Sequence, residues 1–315
     1  MKISIIGPNT PIPPKAWGAV ESLIWDMKLT LNEMGHDVQI INIGDPSEII
    51  RMINEYRPDF VHINYDDWVV LYPYIQYPCA VTTHFAYIER PEMMGPYKQR
   101  VFDAFTAYKP NVFGLSEGIN NVYHEYAGIP REKLFLNPNG VALKKFNFKE
   151  KEIKYPDRSI YLAKIDSRKR QYLYQDVPNL YFAGNIADNR FKKSPSYLGE
   201  WTKEYLYDNL TEYANLVLLS DGEAHPLVCM EAFAAGLGVV VSEWGSSNLD
   251  QSQEFISVIP ESECSNHEYV EKIIRQNREK SLTMRDKIRE YAKTFEWKSI
   301  LKNYYLKNIS NLIVK

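Results

Sequence analysis

Residues 216–236 read Leu216-Val217-Leu218-Leu219-Ser220-Asp221-Gly222-Glu223-Ala224-His225-Pro226-Leu227-Val228-Cys229-Met230-Glu231-Ala232-Phe233-Ala234-Ala235-Gly236. The apolar run 216–220 has the length of a buried strand. The small, apolar run 227–235 has the length of a helix and stops at Gly236. Pro226 suits the start of that helix, where its missing N–H would have no partner anyway. The free N–H groups of Leu227 and Val228, with the helix dipole, favour an anionic ligand. Glu223 falls in the turn. Glu231 lies one turn into the helix beside Val228, Met230 and Ala232, where a carboxylate needs donors such as a pair of hydroxyls. Read alone, the pair equally suits a dipole-complementing Glu and a satisfied buried Glu.

The same strand–turn–helix rhythm runs outward in both directions. Upstream, strands are expected at Lys2–Ile6, Val38–Ile43, Phe60–Ile63, Cys79–Thr83 and Asn111–Leu115, with helices at Val20–Met34, Ser47–Tyr56 and Gln99–Tyr108. Strands then follow at Ser159–Lys164 and Leu180–Ala183, a helix at Tyr205–Tyr213, and a strand at Val239–Ser242. From Glu268 onward the pattern is helical and charged. Alternating β and α elements imply parallel sheets covered on both faces, an α/β fold of doubly wound type. Ligands bind beyond the carboxyl ends of such strands, so the loops at Gly7, Asn64, His84 and Ser116 are sites to inspect. The stretch Lys144–Arg158 is rich in Lys and Glu and reads as a linker. The expected division is 1–150, 151–285, and a helical closing segment 286–315 that would pack back on the first domain, with a cleft between the two domains.

Composition narrows the function. Lys plus Arg number 37 against 40 Asp plus Glu, a net charge of −3. Nucleic-acid binders neutralise phosphates with a basic face, and this balance argues against one. The three cysteines, Cys79, Cys229 and Cys264, are far apart and fit neither a disulfide framework nor a metal site, which points to a reducing, cytoplasmic compartment. The N-terminal apolar run is short and leads into Pro8, Pro11, Pro13 and Pro14, unlike a signal peptide. No run approaches the roughly 20 apolar residues of a membrane span, and no basic amphipathic helix indicates a membrane-bound acceptor. Asp66-Asp67 lacks a third carboxylate and reads as a solvated loop, and His62 as packing.

Glu223 and Glu231, with the small-residue helix that follows, resemble the signature of family-4 GT-B retaining glycosyltransferases. In Tyr161–Gln171, Lys164 and Lys169 are similar to that family's Arg and Lys, spaced by five. Pro13-Pro14-Lys15-Ala16-Trp17-Gly18-Ala19-Val20-Glu21 resembles its proline-rich loop ending in Gly-Gly-x-Glu. Further likenesses are Arg57–His62, Val81-Thr82-Thr83-His84, Asn137-Pro138-Asn139-Gly140-Val141 with Phe146, Leu180–Asn185, and Tyr291–Tyr305. The likeness extends over nearly the whole chain. His225-Pro226 departs from the usual Phe-Gly, and in Ser242–Leu249 only Gly245 is kept.

The resemblance implies two Rossmann-like domains, the second binding a nucleoside-diphosphate sugar and the first an acceptor. Glu231 would hold the ribose and Lys164 and Lys169 the diphosphate. Glu223 and the Leu227 and Val228 amides would position the sugar, and Gly18 would approach the donor. The reacting centre would be Glu223, His84 and Lys169. The resemblance further implies transfer to a carbohydrate or other hydroxyl acceptor with retention of configuration and without a metal or cofactor. Two alternatives stay open: an impaired nucleotide-sugar-binding protein of the same fold, and another GT-B enzyme such as a nucleotide-sugar epimerase.

Overall fold

The computed structural model describes residues 1–14 and 18–313. The chain divides into two units, Met1–Gly140 with the segment from Trp297 on, and Val141–Glu296.

The first unit is built from β1 (Lys2–Ile6), α1 (Ala19–Glu33), β2 (Asp37–Ile41), α2 (Pro46–Tyr56), β3 (Phe60–Ile63), β4 (Cys79–Val81), α3 (Asp103–Tyr108), β5 (Asn111–Gly114), α4 (Glu117–Ala127) and β6 (Leu134–Leu136). Its sheet has the order β2-β1-β3-β4-β5-β6, and every strand pair is parallel. Local chemistry sets the ends of the helices. The Asp45 carboxylate accepts from the Ser47 and Glu48 amides at the start of α2, with Pro46 in the first turn. Ser116 caps α4 through the Ile119 amide. Both are the side chains that best satisfy orphan amides at a helix start.

The second unit holds β7 (Tyr155–Leu162), β8 (Leu180–Ala183), α5 (Lys203–Asn209), β9 (Tyr213–Leu218), α6 (Leu227–Ala234), β10 (Gly238–Ser242), β11 (Ile256–Ile259), α7 (His267–Thr283) and α8 (Arg285–Ala292). The order is β11-β10-β9-β7-β8, again all parallel. β9 and β10 are buried along their whole length, as strands covered on both faces must be.

The stretch read as a linker takes part in this second unit. The Asn147 amide donates to the Tyr207 carbonyl (2.9 Å) and the Lys149 amide to Thr211 Oγ1 (2.9 Å). The closing segment is shared. In the second unit Tyr291 packs edge-on against Phe233 and Phe255, and Phe295 stacks on Phe233. From Trp297, α9 (Trp297–Ile300) and α10 (Leu306–Ile313) belong to the first unit, where Tyr305 joins Phe60, His62 and Phe113.

Several sequence expectations shift. The helix expected over Gln99–Tyr108 begins with a π turn, Lys98–Phe102. The one expected over Tyr205–Tyr213 ends at Asn209, because buried Tyr213 opens β9 instead. Asp66 is not in a solvated loop. It opens a 3-10 helix, Asp66–Tyr74, is only 5% exposed, and accepts from Thr83 Oγ1 (2.6 Å) and the Tyr97 hydroxyl.

Burial pushes the Asp66 carboxyl up to about 6, above the roughly 4 of an unfolded aspartate. The folded state therefore binds this proton more tightly than the unfolded state. The group costs stability at pH 7, and that cost is recovered as pH falls through 6 toward 4. A difference of this size between the two states corresponds to about 2–3 kcal/mol. Asp66→Asn is expected to be more stable than the wild type at pH 7.5, with the advantage fading by pH 5. Denaturant melts at the two pH values check this, and an advantage that does not change with pH would contradict it.

Candidate active site

Three strand-end loops of the second unit are tied into one surface. After β7, the Lys169 amide donates to Asp166 Oδ1 (2.9 Å) and the Arg170 amide to the Asp166 carbonyl (3.2 Å). Arg170 takes a left-handed conformation (φ 56°) that reverses the chain. After β9, the Asp221 amide reaches back to the Arg168 carbonyl (2.8 Å). The Glu223 amide donates to the Trp244 carbonyl (3.1 Å), beyond β10. Ser242 Oγ donates to the Ser220 carbonyl. Side chains on these loops stand at the carboxyl edge of the sheet, where doubly wound folds bind ligands.

Within this frame Glu223 meets two cations. Lys169 Nζ pairs with its Oε1, and Arg168 donates to the same oxygen at 2.9 Å and to the Gly222 carbonyl. The Lys169 and Glu223 side chains are each only 11% exposed. Burial alone would raise the Glu223 carboxyl, but Lys169 and Arg168 outweigh it and hold the group below its ordinary value. Burial lowers the Lys169 ammonium, partly offset by Glu223. Three charges are thus held in a poorly solvated pocket, where electrostatic interactions are strong.

Glu231 lies one turn into α6, with its side chain 14% exposed, and pairs with Lys203 from the start of α5. The N-cap of α6 is Pro226, which offers no side-chain hydrogen bond, and half-buried Leu227 and Val228 form the first turn. At the other end, the α6 carbonyls of Ala234 and Ala235 accept from Arg289 and Arg285. These cations complement the negative end of the helix dipole. Gly236 follows with φ +81°, and a Cβ there would lie 2.5 Å from the Phe148 ring, so the glycine that ends the motif is needed twice over.

Other expected residues fall differently. The Lys164 side chain is exposed and makes no ion pair among the described residues. Its carbonyl accepts from Gln171 (2.9 Å). Arg168, passed over in the sequence, occupies the place against Glu223. Arg170 grips Glu261 and the Leu219 and Ser220 carbonyls. Lys203 was also missed, since nothing in a sequence separation of 28 residues links it to Glu231. Gly18 is the extended N-cap of α1, and a Cβ there would meet the Glu21 carboxylate at 2.7 Å. Lys15, Ala16 and Trp17 of the proline-rich loop lie outside the described residues.

In the first unit, His84 follows β4 and is half-buried, its Nε2 2.9 Å from Asn64 Oδ1. Burial pushes its imidazole down to about 4, although the Asn64 backbone favours the protonated ring.

Strand orders, parallel pairing and strand-end loops of this kind define the GT-B fold, and solved structures share it. HepE of Anabaena, solved with UDP and glucose, matches with a TM-score of 0.73 and 15% identity over 99% of this chain and 100% of that one. Sucrose-phosphate synthase of Thermosynechococcus elongatus matches with a TM-score of 0.74 and 16% identity over 99% of each chain. WaaG, a glycosyltransferase involved in lipopolysaccharide biosynthesis, matches at 0.68 and 13%, over 98% of this chain and 99% of that one. No family model and no curated protein matches the sequence. Among the described residues no helix is long and apolar enough to cross a membrane.

Proposed function

We propose that the chain is a retaining, metal-independent glycosyltransferase that moves a sugar from a nucleoside-diphosphate sugar to an acceptor hydroxyl. The observation that carries this reading is the convergence of Arg168, Lys169 and Glu223 at the strand ends that lead to α6, with Glu231 one turn into that helix. HepE, which shares the fold, was solved with UDP and with UDP-glucose, which supports a nucleotide-sugar donor here.

In this reading Glu231 exchanges its bond to Lys203 for the two ribose hydroxyls. Lys169 and Arg168, with Lys164 reaching in from solvent, neutralise the diphosphate as it leaves. Fixed cations aimed at developing charge do this without reorganising at the moment of reaction. The α6 amides of Leu227 and Val228 add the helix dipole. Glu223, held ionised by its two cations, stands by the sugar and stabilises positive charge developing on the ring. Pro226 cannot donate an N–H to the sugar, so its hydroxyls must be held by neighbouring groups. His84 is assigned a catalytic role and Gly18 a donor-binding one.

Following nucleotide-sugar donors with and without carbohydrate acceptors tests the reading. A transferase consumes donor in proportion to acceptor and keeps the anomeric configuration of the transferred sugar. Donor isomerised without acceptor would replace this reading with an epimerase. Donor bound but never consumed would replace it with a binding protein.

A further inference from the structure

The polar residues behind His84 form a chain whose hydrogen-bond direction can be deduced. It begins at the Phe113 carbonyl, which can only accept. Thr82 Oγ1 lies 3.0 Å from it and donates its single proton there. Thr82 can therefore only accept from His62 Nε2, 2.9 Å away, so that nitrogen carries a proton. His62 is fully buried among Phe113 and Tyr305, and burial pushes its ring down to about 3, so it is neutral and its Nδ1 is a lone pair. The donor to that lone pair is Asn64 Nδ2, at 3.3 Å. The Asn64 amide is thereby oriented with Oδ1 toward His84 Nε2 at 2.9 Å, and Oδ1 can only accept. His84 Nε2 must carry a proton. Because this ring is also neutral, its Nδ1 is bare.

We propose that Asn64 is a positioning residue which, through the one-way chain Phe113–Thr82–His62–Asn64, holds His84 as the Nε2–H tautomer and so presents an unprotonated Nδ1 to a substrate hydroxyl. The proposal rests on the transferase reading for what Nδ1 meets, but not for the tautomer. Nδ1 acts by accepting a hydrogen bond. A ring with so low a pKa is a weak base, so it orients the hydroxyl rather than deprotonating it. The chain also gives each buried polar residue at the ends of two adjacent strands, β3 and β4, a hydrogen-bond partner in the next.

The test joins spectroscopy to kinetics on the full-length protein. With 15N-labelled histidine, nuclear resonance reads the protonated nitrogen of each ring directly, and His84→Gln assigns the His84 signals. In the wild type at pH 7, both His62 and His84 are expected to be neutral with the proton on Nε2. A proton on His84 Nδ1 would overturn the proposal. Thr82→Val removes the hydroxyl three links from His84, while Thr82→Ser keeps it. The Val variant is expected to show mixed His84 tautomers and a kcat lowered roughly tenfold to a hundredfold, with donor KM nearly unchanged, as for a misoriented group. The Ser variant is expected to keep the wild-type spectrum and rate. Equal behaviour of Val and Ser in the spectrum would reduce the chain to simple packing and sink the idea. If the wild type transfers no sugar to any acceptor, the transferase reading fails, and the spectra alone decide the tautomer.

Discussion

Replacing Lys169 with alanine is expected to lower kcat/KM for sugar transfer by roughly 10³-fold, the upper range for deleting one preorganised donor at a site of developing charge. The effect is large because Lys169 is buried and committed to Glu223. In the proposed reading its loss would remove a cation from the leaving diphosphate and loosen the Glu223 carboxylate that it pairs with. The fold is expected to survive. Arg168 still donates to the same Glu223 oxygen at 2.9 Å, so the buried carboxylate keeps a partner and avoids the full cost of an unpaired buried charge. Steady-state kinetics beside a thermal melt check this. Turnover like the wild type's in a folded variant would remove Lys169 from the chemistry.

Replacing Arg285 with alanine is expected to act on stability instead. Its side chain is 2% exposed and donates to the carbonyls of Lys149 (2.6 Å), Tyr213 (3.1 Å), Thr211 (2.8 Å) and Ala235 (3.0 Å), and to Thr211 Oγ1 (2.9 Å). No carboxylate among the described residues bonds to it, and burial pushes its guanidinium down to about 10. It therefore acts as a branched donor, with Nη2 shared among three acceptors, that satisfies the end of α6 and the chain before β9. Alanine would leave these acceptors without partners at about 1–3 kcal/mol each, reduced where water can enter. A loss of about 3–5 kcal/mol is expected, or roughly 10 °C in melting temperature for a unit of this size. Arg285→Lys keeps the charge without the planar fork and should recover only part of it. A shift of about 2 °C or less for the alanine variant would contradict this assignment.

Much of the architecture was legible because it depends on short-range patterns. Apolar runs between helical segments implied parallel sheets, and β3 and β8 begin and end where expected. Glu223 was legible from its place in a strand-to-helix turn, and Lys169 through the family resemblance. What was missed depended on contacts distant in sequence or on the detailed path of a turn. Lys164 and Arg168 were both available cations in one short turn. The left-handed Arg170 and the Asp166 cap decide which of them faces Glu223. Lys203 reaches Glu231 only because α5 and α6 flank the same sheet end. Asp66 and His62 have partners on neighbouring strands and loops, invisible to a reading along the chain. The helix α4 carried unread signals, Ser116 as its cap and Gly128 in the left-handed position at its end. The short strands β6 and β11 offered only three and four residues, too few for a period to emerge.

The central claim is that the second unit holds a nucleoside diphosphate through Glu231 and the cations around Glu223. A thermal-shift screen of nucleoside diphosphates on the full-length protein tests it most directly, because a ligand bound only by the folded state stabilises it by mass action. At about a hundredfold excess over Kd the gain is about 2.7 kcal/mol. One base is expected to raise the melting temperature clearly. Glu231→Ala, which loses two hydrogen bonds to a charged group worth about 1.5–3 kcal/mol each, is expected to lose most of that rise at the same concentration. No shift with any nucleoside diphosphate, or an equal shift in wild type and Glu231→Ala, would contradict the claim.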